Sequence, residues 1–459
     1  MTRQEIETRV EAARAWFRQG KTLPAEARLQ ALDRLKASII KHEAEINAAL
    51  QSDLHKCATE TYMCESGLTL SELSHVRKHL RRWMKPHRVP TPLAQFHARS
   101  FTVADPYGVV LIMSPWNYPF MLTMEPLIGA VAGGNCCIVK PSVSSPATTA
   151  IMTEIIGECF PPEWVSVVQG GRAENAALLD QNFDYIFFTG GVTVGTEVMR
   201  KAAEHLTPVS LELGGKSPVI VEKSAKLRQS ARRLAFGKLL NCGQTCVAPD
   251  YVLIDRSVKD EFIGYVKEAM LEQYGADPMH NESYVHMVND KHFNRVMGLI
   301  DPEKVVLGGV GDPATRCIAP TILDNVTPED AVMQEEIFGP VLPFIAYDSI
   351  DEAIEFVRSR PHPLALYLFT EDKAVQKRVL NTVEFGGGCL NDTIMHIVTS
   401  AMPFGGVGAS GMGGYHGKDS FETFTHKKSI LNKSTWMDMP VRYAPYTALQ
   451  EKLLRMFLK

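Results

Sequence analysis

Cys246 stands in the run Asn241-Cys-Gly-Gln-Thr-Cys246-Val-Ala-Pro249, among small and polar residues between a helical run and a strand. A cysteine used as a small hydrophobe would sit among Leu, Ile and Val. A thiolate nucleophile instead needs a partly polar setting and a nearby base. Glu212 is the second residue that could do chemistry. It lies in Leu211-Glu212-Leu213-Gly214-Gly215, at the end of an apolar strand. A carboxylate flanked by leucines is costly unless it is paired or functional. Burial would raise its pKa, which suits a general base working near neutral pH. An ion pair with Lys216 would account for it as well, and the local sequence leaves both readings open.

The run Phe188-Thr-Gly190-Gly191-Val-Thr-Val-Gly195 reads as a strand end, a glycine turn and a helix start. The N–H groups and positive dipole end of a helix suit a phosphate. A tight turn that needs glycine would have the same sequence. Other patterns lack their context. Gly406-Val-Gly408-Ala-Ser-Gly411 fits G-x-G-x-x-G by letter but has no strand before it and no βαβ unit after it. Gly215-Lys216-Ser217 ends like a P-loop, but Ser210 stands where that motif needs glycine. The G-x-S-x-G elbow is absent. Cys242-x-x-x-Cys246 has the wrong spacing for a zinc knuckle, and no metal site is expected. His286 and His292 read as surface residues on a polar helix.

These residues need a scaffold, and the chain has ample length for one. At 459 residues it has room for roughly three domains. Its composition, 45% hydrophobic and 22% charged, is that of a globular protein and excludes a disordered chain. Lys plus Arg is 48 and Asp plus Glu is 52, a net charge of −4 that gives no electrostatic case for nucleic acid or an anionic membrane. No apolar run reaches the roughly 18 residues that span a bilayer. The charged start, Arg3, Glu5, Glu7 and Arg9, leaves no apolar signal-peptide core there. Nine scattered cysteines, an odd number, predict reduced thiols and a cytoplasmic setting.

The first hundred residues predict helices. Ile6, Val10 and Phe17 fall near one face, and after Pro24 so do Leu29, Leu32, Leu35, Ile39, Ile46 and Leu50. Pro86 to Pro92 breaks the pattern. From about residue 100, strand runs at Val109–Met113, Cys137–Lys140, Val165–Val168, Tyr185–Phe188, Val209–Leu213 and Val219–Val221 alternate with helical runs. Such alternation predicts βαβ units and a mainly parallel sheet. A similar cycle runs from Tyr251 to about Leu390, consistent with a second α/β domain.

Taken in order, these segments resemble the aldehyde dehydrogenase superfamily from about residue 20 to the C-terminus. Pro115-Trp116-Asn117-Tyr118-Pro119 is similar to its oxyanion segment, and Lys140-Pro-Ser142 to its adenosine-ribose segment. Phe188 to Gly195 is similar to the coenzyme phosphate turn, Glu212-Leu-Gly-Gly-Lys216 to the general-base motif and Gly243-Gln-Thr-Cys246 to the nucleophile motif. Glu335-Glu336-Ile-Phe338-Gly-Pro340 is similar to the nicotinamide-ribose segment, and Pro403-Phe404-Gly-Gly-Val-Gly408 to the motif closing the substrate pocket. Tyr118, the run Gly411 to Lys418 and the run Arg442 to Tyr446 resemble the class-3-type branch.

The resemblance implies an α/β fold of three parts. A Rossmann-like coenzyme domain spans residues 1–81 and 104–210, and an α/β catalytic domain spans 211–396. A bridging and oligomerisation segment with the C-terminal tail takes 82–103 and 397–459. It implies NAD or NADP as coenzyme and oxidation of an aromatic or medium-chain aliphatic aldehyde to the carboxylate. Cys246 would be the nucleophile, Asn117 an oxyanion donor and Glu212 the base. Trp116, Lys140, Ser142, Val143, Gly190, Gly191, Gly195, Leu213, Glu336 and Phe338 would meet the coenzyme. Tyr118, Cys242 and Phe404 would line the substrate pocket. The branch implies a homodimer, and the chain stops at Lys459 without the membrane anchor some members carry. Two positions depart from the family pattern: Gly191 replaces a serine, and Val143 replaces the glutamate that favours NAD. The rival readings are a coenzyme-A-acylating relative, a cysteine thioesterase and a non-catalytic protein on the same fold.

Overall fold

The structure, a computed structural model, describes residues 1–457; the chain end at Lys459 lies outside them. The N-terminal region is helical, as its periodicity predicts. Helix Arg3–Arg18 opens on a capping box in which the Thr2 side chain accepts from the Glu5 N–H, and it buries Ile6, Val10 and Ala13. Phe17 is only partly buried against the core. Pro24 caps helix Ala25–Lys41, whose Leu32, Leu35 and Ile39 are buried. Helix Glu43–Leu54 follows, then a short helix, a π-helical turn at Tyr62–Ser66 and helix Gly67–Trp83.

The buried guanidinium of Arg28 donates to Ala132 O at 2.9 Å and Gly133 O at 3.0 Å, satisfying the open carbonyl end of helix Met121–Gly133. That helix ends at Gly134 with φ 94°, and a Cβ there would lie 2.5 Å from the guanidinium. Only glycine supplies both the left-handed turn and the space.

Six strands form the first sheet, in the order Gly411–Met412, Val209–Glu212, Tyr185–Thr189, Val109–Met113, Cys136–Lys140, Val165–Val167. All neighbours are parallel except Gly411–Met412, which runs antiparallel to Val209–Glu212. Val109–Met113, Cys136–Lys140 and Tyr185–Thr189 are buried at every residue, as expected of parallel strands covered on both faces. Strand order reverses direction around Val109–Met113, and in open α/β sheets ligands bind beyond the carboxyl ends of strands at such a switch point. The segments that leave there are Ser114–Asn117 and Gly190–Gly191.

The second sheet has seven strands, ordered Val305–Leu307, Thr321–Leu323, Val341–Tyr347, Tyr251–Asp255, Pro218–Val221, Ala365–Phe369, Gly387–Leu390. Only Val305–Leu307 is antiparallel. His87–Val89, Ala98–Pro106 and Thr425–Lys433 form a separate antiparallel sheet. Strand Val209–Glu212 therefore crosses the expected boundary at residue 210, and Ala98–Pro106 crosses the one at 103. Gly411–Met412 brings the C-terminal region into the first sheet. Among the described residues, no helix is long and apolar enough to cross a membrane.

Candidate active site

Cys246 lies in the loop between helix Leu227–Leu239 and strand Tyr251–Asp255, partly buried and facing a cavity of about 200 Å³. The loop is bent by three successive residues of positive φ: Asn241 at 53°, Cys242 at 55° and Gly243 at 71°. Two of these are not glycine, and such strain persists only where the surroundings fix it. The Asn241 N–H donates to Glu60 Oε1 at 2.8 Å, and its side-chain amide donates to Asn117 O at 2.8 Å and Gln244 O at 3.0 Å. Gln244 in turn donates to His286 O at 3.0 Å and accepts from the Val288 N–H at 3.0 Å.

Glu212 ends the strand Val209–Glu212 and is 2% exposed. Neither carboxyl oxygen has a hydrogen-bond partner among the described residues. The ion pair with Lys216 does not form. Lys216 is committed elsewhere, to Asp250, to Val332 O at 2.8 Å and to Glu335 O at 2.8 Å. Burial pushes the Glu212 pKa well above the usual carboxylate range. Glu336 is pushed up to about 8, first by burial and then by the charge of Asp250. Its Oε2 lies 2.2 Å from where a Cβ on Gly214 would be, so only glycine at 214 lets this carboxylate in. The Cys246 thiol is pushed up to about 12 by burial, then by Glu336 and Glu212. The three groups thus share one site, and the thiol needs a base to ionise near neutral pH.

Asn117 follows the strand Val109–Met113 and is buried. Its Nδ2 donates to Gln244 O at 2.9 Å, which occupies one of the two N–H groups of the amide. The Tyr118 hydroxyl shares a hydrogen bond with the Thr245 hydroxyl at 2.7 Å, and Tyr118 and Phe404 both line the cavity. Cys242 does not, which corrects the expectation that it belongs to the pocket: it is fully buried, with Sγ 3.6 Å from the Tyr284 hydroxyl. The left-handed backbone turns it away from the cavity that Cys246 faces.

The remaining expected residues fall at the carboxyl ends of the first sheet or across from them. Lys140 ends its strand with Nζ donating to Pro141 O at 2.7 Å, and burial pushes its pKa down to about 8. Ser142 Oγ accepts from the Ser144 N–H at 3.2 Å, while Val143 is 59% exposed. Gly190 and Gly191 lead into helix Val192–Ala203, whose first turn has no side-chain cap. A Cβ at Gly191 would meet nothing within 4 Å, so packing does not exclude the serine that the resemblance leads one to expect there. A Cβ at Gly195 would lie 2.5 Å from Leu213 Cδ2, so the glycine admits Leu213 against the helix. Phe338, with φ 49°, packs edge-on to Trp116 at 5.4 Å.

His286 and His292 are not surface residues on one polar helix. His286 lies in a loop and stacks on His55 at 4.0 Å. His292, on the short helix Asp290–Met297, packs against Trp116 at 4.9 Å. Burial pushes both imidazoles down to about 4.

One supporting network was missed in reading the sequence. Lys56 Nζ donates to Glu65 Oε1 at 2.7 Å, and both side chains are wholly buried. Glu65 Oε2 accepts from the N–H groups of Phe120 and Met121, each at 3.0 Å. Lys56 also reaches Asn117 O at 3.4 Å and lies 4.3 Å from the Tyr118 ring centroid. With Glu60 on Asn241, this network holds both Asn117 and the Cys246 loop. Removing one member of a buried pair strands the other charge, at a cost of about 3 to 5 kcal/mol. Lys56→Met should therefore lower thermal stability sharply, and Lys56→Met/Glu65→Gln should recover part of it. Denaturant midpoints of the three proteins check this; equal midpoints for wild type and Lys56→Met would contradict it.

The family model described as "Aldehyde dehydrogenase family" matches residues 1–430. The 4,4'-diaponeurosporen-aldehyde dehydrogenase of Staphylococcus aureus is 45% identical over 456 residues, 99% of each chain. A canine relative (Canis lupus familiaris), "Aldehyde dehydrogenase, dimeric NADP-preferring", is 44% identical over 443 residues, 96% of this chain and 97% of its own. The solved substrate-bound state of Staphylococcus aureus AldH superposes with a TM-score of 0.98 at 45% identity, covering 99% of each chain.

Proposed function

The chain belongs to the aldehyde dehydrogenase family, and on that premise we propose that it oxidises aromatic or medium-chain aliphatic aldehydes to carboxylates with NAD or NADP. The observation that carries this reading is Glu212, buried and unpartnered, with its charge acting on Cys246, whose thiol faces an apolar cavity. Cys246 gives its proton to solvent by way of a neighbouring carboxylate, and its sulfur adds to the carbonyl carbon. The oxyanion takes hydrogen bonds from the free N–H of the Asn117 amide and from the Cys246 backbone N–H. Nicotinamide coenzyme, when bound, supplies the hydride acceptor. The acyl group is then a thioester on Cys246. Glu212 takes a proton from water, the hydroxide displaces the thiolate, and the carboxylate leaves.

The residues present fit such a coenzyme. Glu336 Oε1 is a buried oxygen without a partner among the described residues, and the uncapped start of helix Val192–Ala203 suits a pyrophosphate. Lys140, Ser142 and Val143 would face the adenosine ribose, Glu336 the nicotinamide ribose, and Phe338 with Trp116 the ring. A homodimer is the assembly we carry over from the relative named dimeric.

The test is absorbance at 340 nm with purified protein, an aldehyde and either coenzyme, without coenzyme A. A rise excludes both the acyl-transferring and the thioesterase readings, because neither yields reduced coenzyme under those conditions. No rise across a panel of aldehydes would overturn the proposal.

Val143 makes NADP a good coenzyme. A carboxylate at this position would face the 2′-phosphate, and two like charges about 4 Å apart cost about 1 to 4 kcal/mol. That is roughly a tenfold to several-hundredfold preference for NAD. Valine lifts the repulsion and leaves Lys140 able to pair with the phosphate. Glu174, whose charge reaches Lys140, does not replace the missing carboxylate: its oxygens are taken by the Gly171 N–H at 2.7 Å and the N-terminal ammonium at 3.2 Å. In kcat/KM with one aldehyde, Val143→Glu should shift toward NAD. A wild type that uses NAD a hundredfold better than NADP would sink this.

A further inference from the structure

The cavity at Cys246 is walled mainly by apolar side chains, among them Met63, Leu68, Phe236 and Ile397. Three titratable groups that the reaction does not use are set into the same wall: Glu72 from helix Gly67–Trp83, Glu125 from helix Met121–Gly133, and His416. They are 4%, 4% and 8% exposed. Glu72 Oε1 accepts from the Gly417 N–H at 2.6 Å. Glu125 Oε2 lies 3.5 Å from His416 Nε2, outside hydrogen-bond geometry, and accepts no hydrogen bond among the described residues.

His416 has φ 93°, a conformation strained for a residue other than glycine. It is held there by its N–H, which donates to Ser420 Oγ at 2.8 Å, and by its ring, stacked on Phe404 at 5.6 Å. A buried acceptor left open in an apolar wall is itself unfavourable. An acid pair and a strained histidine around one open acceptor have the form of a binding site.

We infer that Glu125, framed by Glu72 and His416, is a substrate subsite that accepts a hydrogen bond from a hydroxyl group carried by the aldehyde. The inference rests on the dehydrogenase reading and adds to it the class of aldehyde. A carboxylate or phosphate on the substrate would face two buried acids. Burial and then the Glu125 charge push Glu72 toward its protonated form. Burial alone would lower the His416 pKa, but the facing Glu125 and Glu72 carboxylates outweigh it.

The test compares straight-chain ω-hydroxyaldehydes, long enough not to cyclise, with alkanals of equal length. Wild type should prefer the hydroxyaldehyde by roughly tenfold or more in kcat/KM at the best chain length. Glu125→Leu should lose that preference while its alkanal activity confirms the fold. Glu125→Gln, which keeps an acceptor oxygen, should retain part of it. No preference in wild type at any length, or a preference unchanged in Glu125→Leu, would overturn the subsite while leaving the dehydrogenase reading intact. If Glu125→Leu does not fold, the wild-type comparison decides alone. Oxidation of neither aldehyde would overturn the dehydrogenase reading and the subsite together.

Discussion

Cys246→Ala is expected to lose dehydrogenase turnover by at least about 10⁴-fold, because the bond to the carbonyl carbon forms on this sulfur. Coenzyme binding, measured by fluorescence quenching or calorimetry, should survive, since the expected coenzyme residues lie on other segments. Cys242→Ala is the control. Its thiol packs against Tyr284 and faces away from the cavity, so most activity should remain. The opposite pattern, an active Cys246→Ala and an inactive Cys242→Ala, would reverse the assignment. A Cys246→Ala protein that no longer binds coenzyme would show that the loop had collapsed, and the alkylation rate of wild-type Cys246 with and without aldehyde would then decide.

Glu212→Gln should break the cycle at its second half. The amide keeps the shape of the side chain but cannot take a proton from water. Acylation should proceed and deacylation stall, so that an acyl adduct on Cys246 accumulates and shows by intact mass. Turnover limited by this step rises with pH as Glu212 loses its proton. Because burial raises its pKa, that rise falls above the pH at which an ordinary carboxylate titrates, and the variant lacks it. Full steady-state turnover in Glu212→Gln would remove it from the mechanism. Inactivity without an adduct would move the proton-accepting role in acylation to Glu212 itself, or the hydrolytic role to Glu336, which the double variant separates.

The local sequence showed Cys246 and Glu212 because each breaks a local rule: a thiol in a run of mostly small and polar residues, and an acid between leucines. The parallel strands were legible for a similar reason, since strands buried on both faces read as unbroken apolar runs. What joins Glu60 to Asn241 was not legible, because the two are 181 residues apart and nothing local marks them. A weaker signal did exist. Glu65, Thr69, Glu72, Leu73, Val76 and Leu80 share one buried helical face, so two acids fall on an otherwise apolar stripe. Glu125 likewise interrupts a helix that is buried at every residue. Cys242 was misplaced because motif proximity says nothing about backbone handedness, which sends neighbouring side chains to opposite sides of a loop. His292 was misread because its helix is short and polar, while only Phe293 and Val296 on it are fully buried.

The Glu65 carboxylate has a consequence that reaches beyond the site. One oxygen holds a lysine and the other caps the start of a helix, while the nearby Glu60 holds the Asn241 N–H, so the helical segment 58–83 cannot leave helix Met121–Gly133 or the nucleophile loop without stranding buried polar groups. The early helices are therefore not a detachable appendage that could fray while catalysis persists. They are expected to unfold in one cooperative unit with the loop of the reactive thiol, so that helicity and activity should be lost together on heating.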